Sequence, residues 1–125
     1  MDENEISYAV RGAAFKVHSN LGPGLLESVY EAALHYELLK AGLEVRTQVG
    51  IPVFYEGHSL DIGFRLDLIV NDLVIVEIKS VEAVAPVHYK QLLTYLRLSK
   101  KKLGLLINFN SNSLTDSIRR VANGM

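Results

Sequence analysis

The spacing of apolar residues changes near residue 45, from a helical period to a strand period. Apolar residues recur every three or four positions over residues 4 to 19 and again from about Leu25 to Ala41, which predicts two amphipathic helices. A Gly-Pro-Gly turn separates them. From Val45 to Tyr55 the chain reads as an extended strand, in which Pro52 marks an edge position or a bulge.

The middle of the chain holds two segments that are apolar at nearly every position. They run from Leu60 to Val70 and from Val74 to Lys79, and a turn-forming Asn-Asp pair at residues 71 and 72 separates them. Strands that are apolar on both faces are normally covered on both faces by helices. This pattern predicts an α/β fold in which central strands lie between helical layers.

Three further elements complete the predicted order. Pro86 opens a helix that ends near Ser99, residues 103 to 109 form a buried strand, and residues 114 to 122 form a short closing helix. The order is therefore helix, helix, strand, strand, strand, helix, strand, helix. The short loops and the lack of a linker or repeat in the sequence indicate one domain over residues 1 to 125.

Charge is distributed unevenly along the 125 residues, although the net charge is only -1. Residues 1 to 86 carry 6 Lys and Arg against 13 Asp and Glu, whereas residues 87 to 125 carry 7 against 1. The basic residues of the last third could contact a polyanion if the fold brings them together, or they could be solvated helix ends. They are Lys90, Arg97, Lys100, Lys101, Lys102, Arg119 and Arg120.

The composition limits both the chemistry and the compartment. The chain has no cysteine, so a bound metal must use oxygen or imidazole ligands and a thiol nucleophile is excluded. The acidic first residues lead into no apolar signal segment, and no stretch approaches the ~18 apolar residues of a membrane span. We therefore expect a cytoplasmic protein with no membrane partner.

Among the ionisable residues that interrupt the two apolar strands in the middle of the chain, three are candidates for a site: Asp67, Glu77 and Lys79. Glu77 and Lys79 are two positions apart on one strand, so their side chains point to the same face. Burying a charge without a partner is costly. Such groups are therefore expected to be paired, bound to a metal or placed at a strand end.

The length of the loop between the two strands decides whether Asp67 joins that face. A two-residue loop pairs Val70 with Leu73 and hence Asp67 with Val76, which places Asp67 on the face opposite to Glu77. A three-residue loop, or one bulge, pairs Asp67 directly with Glu77. A functional site requires the second register, and the sequence leaves both registers open.

Two carboxylates that face each other repel, and a divalent cation between them is the simplest explanation of their coexistence in a buried sheet. Hard oxygen ligands suit Mg²⁺ or Mn²⁺. The alternative is structural: Lys79 forms a salt bridge to one carboxylate, while the other is exposed at the end of its strand.

The spacing of these residues resembles the bipartite signature of the PD-(D/E)xK nuclease superfamily. Asp67 is followed, after nine residues, by Glu77-Ile78-Lys79. Two further segments extend the resemblance over nearly the whole chain. Residues 24 to 30 match the GxxExxY pattern that names a small bacterial family of this superfamily, and residues 91 to 95 resemble the QxxxY element of its RecB-type members.

The resemblance implies a restriction-endonuclease-like fold, with a central mixed sheet flanked by helices, and a metal-dependent active site. Asp67, Glu77 and the Ile78 carbonyl would hold Mg²⁺ or Mn²⁺. Glu27, on the second helix, would add a further catalytic and metal-binding carboxylate. Lys79 would orient or deprotonate the attacking water, or neutralise charge that develops on the phosphoryl group.

The resemblance also implies four substrate contacts: Tyr30, His88, Gln91 and Tyr95. The last three fall on one face of the third helix by their spacing, and Tyr30 lies one turn after Glu27 on the second helix. The structural alternatives are an ordinary first-turn glutamate for Glu27, a packed tyrosine for the pair of Gln91 and Tyr95, and a histidine near a helix start for His88.

The function implied by the resemblance is metal-dependent hydrolysis of phosphodiester bonds in nucleic acid, with DNA as the expected substrate and activated water as the nucleophile. The alternative is a non-catalytic module on the same fold that binds nucleic acid or protein. Because the net charge is close to zero, a third expectation is a subunit that works as a homodimer or beside a protein partner.

Overall fold

The computed structural model describes residues 1 to 125, except for the side chain of Ile62. Its helices are α1 (Glu3–Leu21), α2 (Glu27–Lys40) and α3 (Pro86–Ser99). Its strands are β1 (Val45–Tyr55), β2 (His58–Val70), β3 (Val74–Lys79), β4 (Leu103–Asn108) and β5 (Ile118–Ala122), and a 3₁₀ turn (Thr115–Ser117) precedes β5. In the described part of the chain, no helix is long and apolar enough to cross a membrane.

The ends of two helices follow from local side-chain chemistry. Asp2 and Glu5 form a capping box at the start of α1, since each side chain accepts a hydrogen bond from the backbone N–H of the other. Pro86 occupies the first turn of α3, where its missing N–H has no helical partner to lose. Both starts lie within one or two residues of their predicted positions.

The five strands form one mixed sheet in the order β1-β2-β3-β4-β5. Neighbouring strands are antiparallel except β3 and β4, which are parallel because α3 crosses from one to the other. The fold is therefore an α/β fold with a central mixed sheet flanked by helices, as predicted. β1 is an edge strand, and its register shifts between Pro52 and Phe54.

The predicted closing helix over residues 114 to 122 is wrong. The segment forms the 3₁₀ turn and then β5, which pairs antiparallel with β4 from Ile118 opposite Ile107 to Ala122 opposite Leu103. The apolar residues Ile118 and Val121 are three apart, which fits a helix, but in a strand the same spacing sends them to opposite faces of the sheet. Backbone pairing with the edge of β4 favours the strand over the helix.

Two apolar cores cover the two faces of the sheet. In the first core, α1 and α2 pack on one face, with Ile6, Val10, Leu34 and Leu38 among the buried helical residues. In the second core, α3 packs on the other face through Leu92 and Leu96. β3 contributes Val74, Val76 and Ile78 to the first core and Ile75 to the second. Glu77 and Lys79 lie two and four residues after Ile75 on the same strand, so their side chains point to the face that α3 covers.

At Gln48 in β1 and Asp67 in β2, the regular alternation of side chains between the two faces of the sheet is interrupted. The ladder between them pairs Thr47 with Leu68 and Val49 with Leu66, on either side of this point. Leu68 packs in the first core, whereas Leu66, two residues earlier, packs in the second. Strict strand alternation would keep both on one face, so the ribbon is kinked here. Residues 49–55 and 58–66 continue beyond the kink as a two-stranded arm.

Candidate active site

The loop between β2 and β3 has three residues, which is the length that brings Asp67 towards Glu77. Val70 pairs with Val74, so the loop is residues 71 to 73. Asn71 and Asp72 both adopt left-handed backbone conformations, with φ of 50° and 55°, and the Leu73 N–H donates to the Val70 carbonyl at 3.0 Å. The pairs continue to Leu68 opposite Val76, and the next position in this register sets Asp67 against Glu77.

Side chains replace the backbone ladder at that next position. The Ile78 N–H donates to Oδ2 of Asp67 at 2.8 Å, and the Asp67 N–H approaches Oε2 of Glu77 at 3.4 Å. Each carboxylate is thereby tied to the backbone of the opposite strand. This cross-connection holds the two acidic side chains side by side at the point where β2 separates from β3.

Glu77 is a buried carboxyl whose surroundings disfavour its charged form. Its side chain lies within the sheet with only 8% of its surface exposed, and its Oε1 has no hydrogen-bond partner among the described residues. The pKa of Glu77 is raised to about 9, first by burial and then by the neighbouring Asp67, while Lys79 opposes the shift. The buried carboxylate therefore has an acceptor oxygen free for a cation or a proton.

Lys79 is partly buried on the same face as Glu77, at the end of β3. The ion pairs found within the described side chains involve Lys16, Arg46 and Lys101 and do not include Lys79. The structural alternative, in which Lys79 neutralises one of the carboxylates through a salt bridge, is therefore not seen.

Glu27 lies in the first turn of α2, where the helix dipole favours a carboxylate. Its Oε2 accepts a hydrogen bond from the Ser80 N–H at 3.1 Å, and the Ser80 hydroxyl donates to the Leu25 carbonyl at 2.6 Å. These two bonds fasten the start of α2 to the end of β3. Glu27 is thus exposed but held beside the acidic residues of the sheet.

A cleft of about 130 Å³, here called the acidic cleft, collects eight of the nine residues predicted for the site. They come from α2, β2, β3 and α3. They are Glu27, Asp67, Glu77, Ile78, Lys79, His88, Gln91 and Tyr95.

The α3 residues form one wall of the acidic cleft. Tyr95 stacks on Phe64 of the arm, with ring centroids 4.1 Å apart, and burial raises the pKa of its hydroxyl. His88 is partly buried, and its Nδ1 has no hydrogen-bond partner within the described part of the protein. Gln91 lies between them in sequence and is exposed. The predicted helical stripe is thus present and faces the carboxylates.

Tyr30 is the predicted site residue that the acidic cleft does not contain. Its side chain is fully buried in the first core and stacks on Phe109, with centroids 4.6 Å apart. Its hydroxyl donates to the Gly22 carbonyl at 2.6 Å and accepts from the Leu25 N–H at 3.1 Å. The prediction of a substrate contact is corrected, because a buried side chain with a fully engaged hydroxyl has no surface to offer a substrate. Tyr30 secures the loop before α2.

Three residues near the acidic carboxylates were not predicted from the sequence. Arg65 lines the acidic cleft, while Glu31 and Gln48 line a neighbouring groove of about 350 Å³ that shares Glu27 and Asp67 with it. Glu31 could have been found, since it lies four residues after Glu27 on the same helix face. Gln48 and Arg65 depend on the kink of the ribbon, which has no sequence signal.

The donor set of the acidic cleft fits a hard divalent cation. Asp67 and Glu77 provide carboxylate oxygens, and the unpartnered Oε1 of Glu77 is a buried acceptor that a cation would satisfy. No group of three or more Asp, Glu or His side chains is arranged to hold a metal by itself among the residues described. The fit is therefore to a cation bound by a few protein oxygens that keeps water ligands, as Mg²⁺ does.

Comparison with known proteins assigns the chain to a family. A family model described as the PD-(D/E)XK nuclease superfamily matches residues 4–121. No curated protein and no solved structure matches the sequence significantly. The α/β architecture, with its mixed sheet flanked by helices, is consistent with a restriction-endonuclease-like fold. Because the family match spans nearly the whole chain, the protein belongs to the PD-(D/E)XK nuclease superfamily.

Proposed function

We propose that this protein is a Mg²⁺- or Mn²⁺-dependent nuclease that hydrolyses phosphodiester bonds of DNA. The observation that carries the proposal is the buried Glu77 carboxylate, whose Oε1 is without a partner in the described chain and which lies against Asp67. Such a pair is unfavourable for the fold by itself, and a bound cation removes the repulsion. Membership of a nuclease superfamily makes catalysis the natural use of that cation.

The proposed ligands are Asp67, Glu77 and the Ile78 carbonyl, with Glu27 as a further carboxylate on the α2 side. When bound, the cation supplies Lewis-acid polarisation of the phosphate and a lowered pKa for a coordinated water. The Ile78 N–H already fixes Oδ2 of Asp67, so the protein limits the rotation of this carboxylate before any ligand arrives.

Lys79 is proposed to act on the scissile phosphate. Lys79 lines the same cleft as the two carboxylates and is not in an ion pair with either of them within the described structure. A positive charge at this position can stabilise the charge that develops on the phosphoryl oxygens while water attacks. It also orients the attacking water through its N–H donors.

The remaining residues of the cleft are proposed to hold the substrate. Gln91, Tyr95 and His88 line one wall and offer an amide, a hydroxyl and an imidazole to sugar or phosphate groups. Arg65 lies at the border between the acidic cleft and the arm, because it lines both this cleft and a larger one of about 490 Å³ along the arm. It is proposed to bind a phosphate next to the one that is cleaved.

Four finer assignments stay proposals. The segment from Gly24 to Tyr30 supports placing the chain in the GxxExxY family of the superfamily. A cytoplasmic location and a single domain over residues 1 to 125 are kept from the sequence. The near-zero net charge supports a homodimer or a protein partner that strengthens binding to DNA.

The proposal is tested by the cleavage of end-labelled single-stranded, duplex and branched DNA and of RNA, in Mg²⁺, in Mn²⁺ and in EDTA. We expect metal-dependent cleavage of DNA by the wild-type protein. Asp67→Asn should lose both Mn²⁺ binding and cleavage, whereas Lys79→Ala should keep Mn²⁺ binding and lose at least about a hundredfold in kcat.

Glu82→Gln serves as the matched control, because it removes an exposed carboxylate that lies three residues after Lys79 and does not line the acidic cleft. Cleavage that persists in Asp67→Asn would show a contaminating nuclease or another active site. A wild-type protein that binds neither Mn²⁺ nor Mg²⁺ and cleaves nothing would favour the alternative of a non-catalytic binding module.

A further inference from the structure

Gln48 has a backbone conformation that is unusual for a residue in a strand. Its φ is +49°, in the left-handed region, although it lies within β1 and is not a glycine. The side chain of an L-residue is crowded in this conformation, so the fold keeps Gln48 there at a cost in free energy. The strain lies directly beside Asp67, at the kink where both strands change face.

The side chain of Gln48 lies between two carboxylates. Its Nε2 donates to Oε1 of Glu31 at 2.7 Å and approaches Oδ1 of Asp67 at 3.4 Å. Ionised carboxylates only accept hydrogen bonds, so the amide must turn its NH₂ group, and not its oxygen, towards both of them. Glu31 thereby fixes the orientation of the amide that faces Asp67.

Both oxygens of Asp67 therefore have a donor. The Ile78 N–H holds Oδ2 at 2.8 Å, and the Gln48 amide faces Oδ1. A carboxylate held through one oxygen can still pivot about that hydrogen bond, whereas donors to both oxygens fix the plane of the carboxylate. Each oxygen keeps a further lone pair for a cation.

We propose that Gln48, oriented by Glu31, is a positioning residue that fixes the Asp67 carboxylate for binding of the divalent cation. The inference rests on the function proposed above, since it assigns Asp67 as a ligand. The strained backbone of Gln48 is what brings its amide to Asp67. Hydrogen-bond partners behind a metal ligand commonly change metal affinity by 10- to 100-fold when they are removed, which sets the expected size of the effect at about tenfold or more.

The strained backbone allows this role to be separated from a purely structural one. Gln48→Gly removes the amide and relieves the left-handed strain, because glycine adopts positive φ freely. Gln48→Asn keeps an amide and a residue type that tolerates this conformation, but it is one methylene too short to reach both carboxylates. The matched control is Glu56→Gly, since Glu56 has nearly the same φ of 50° but lies at the exposed tip of the arm.

The experiment measures the Mn²⁺ affinity of the full chain by titration calorimetry without nucleic acid, and its thermal unfolding in EDTA. We expect Gln48→Gly to unfold at the wild-type temperature or above and to bind Mn²⁺ about tenfold more weakly or worse. Gln48→Asn should show the same loss of affinity. Glu56→Gly should bind Mn²⁺ as the wild type does.

Three results would overturn the inference. Wild-type Mn²⁺ affinity in both Gln48 variants, with a wild-type protein that does bind Mn²⁺, would leave the nuclease proposal standing and remove Gln48 from it. A clear loss of stability in Gln48→Gly would show that the side chain serves the fold. A wild-type protein that binds no Mn²⁺ would overturn both proposals at once.

Discussion

At the scale of single residues, Glu77 combines burial with an unmet demand for a positive partner. Its Oε1 is without a hydrogen bond to any described group, and the pKa of its carboxyl is raised to about 9. A carboxyl that must be protonated or left charged without a partner destabilises the folded state. A residue kept in such a place has a use that outweighs its cost in stability, which agrees with a ligand role.

Glu77→Gln is therefore expected to stabilise the metal-free protein by about 2 kcal/mol at neutral pH, because folding must protonate the Glu77 carboxyl, whereas an amide is uncharged in both the folded and the unfolded state. The same variant should lose its Mn²⁺ binding. Urea unfolding in EDTA measures the first effect and calorimetry measures the second, with the exposed Glu82→Gln as control. A destabilised Glu77→Gln protein would contradict the electrostatic account.

A second prediction for a single residue concerns Tyr30, whose buried position indicates a structural role and not a substrate contact. Tyr30→Phe removes a hydroxyl that donates to the Gly22 carbonyl and accepts from the Leu25 N–H. We expect a loss of about 1–2 kcal/mol in the free energy of unfolding, with Mn²⁺ affinity unchanged. If instead the variant kept its stability and lost substrate binding, the sequence-based prediction of a substrate contact would be restored.

At the scale of elements, the arm of β1 and β2 depends on one close approach between its strands. A Cβ placed on Gly63 would lie 2.2 Å from the carbonyl oxygen of Ile51, which is far inside van der Waals contact and involves backbone. Gly63 pairs with Pro52, next to the register shift of β1. The absence of a side chain at this position lets the strands approach where Pro52 disturbs their ladder.

Gly63→Ala is expected to destabilise the protein by about 2–4 kcal/mol, because the backbone of the arm must move. Gly50→Ala is the matched control, since a Cβ at Gly50 in the partner strand would meet nothing within 4 Å. It should change the stability by no more than about 0.5 kcal/mol. Equal effects in the two variants, measured by urea unfolding, would contradict this packing of the arm.

At the scale of the whole molecule, positive charges do not outnumber negative ones, with 13 Lys and Arg against 14 Asp and Glu. The net charge is -1, and some of the basic side chains are already engaged: Arg46 and Lys101 pair with Asp72, and Arg119 lies over the Tyr89 ring at 4.4 Å. Arg65, by contrast, lines the acidic cleft and takes part in none of the ion pairs of the described chain. We therefore expect Arg65 to contribute to substrate binding.

Arg65→Ala is expected to raise KM for DNA without changing Mn²⁺ affinity, and to lower the slope of log affinity against log salt by about 1. Arg46→Ala is the matched control, because it removes the same charge from a side chain that Asp72 engages. Binding measured over a range of salt concentrations tests both. Identical salt slopes for Arg65→Ala and the wild type would remove Arg65 from the substrate path.

The sequence alone determined the features that depend on local burial. The apolar runs of β2 and β3 and the Pro86 start of α3 gave elements of the right type at nearly the right positions, because periodicity reports directly which faces of a segment are buried. The same local reasoning placed Glu77 and Lys79 on one face of β3. It failed at residues 114 to 122, where pairing with β4 overrides a helical spacing.

Only the tertiary structure decided how distant segments meet. The three-residue loop that sets Asp67 against Glu77 was one of two allowed registers, and the choice depends on the packing of whole strands. The kink at Gln48, the burial of Tyr30 and the place of Arg65 have no local signal, because each results from contacts between residues far apart in sequence. Local propensity selects elements, whereas the free energy of packing them together selects the site.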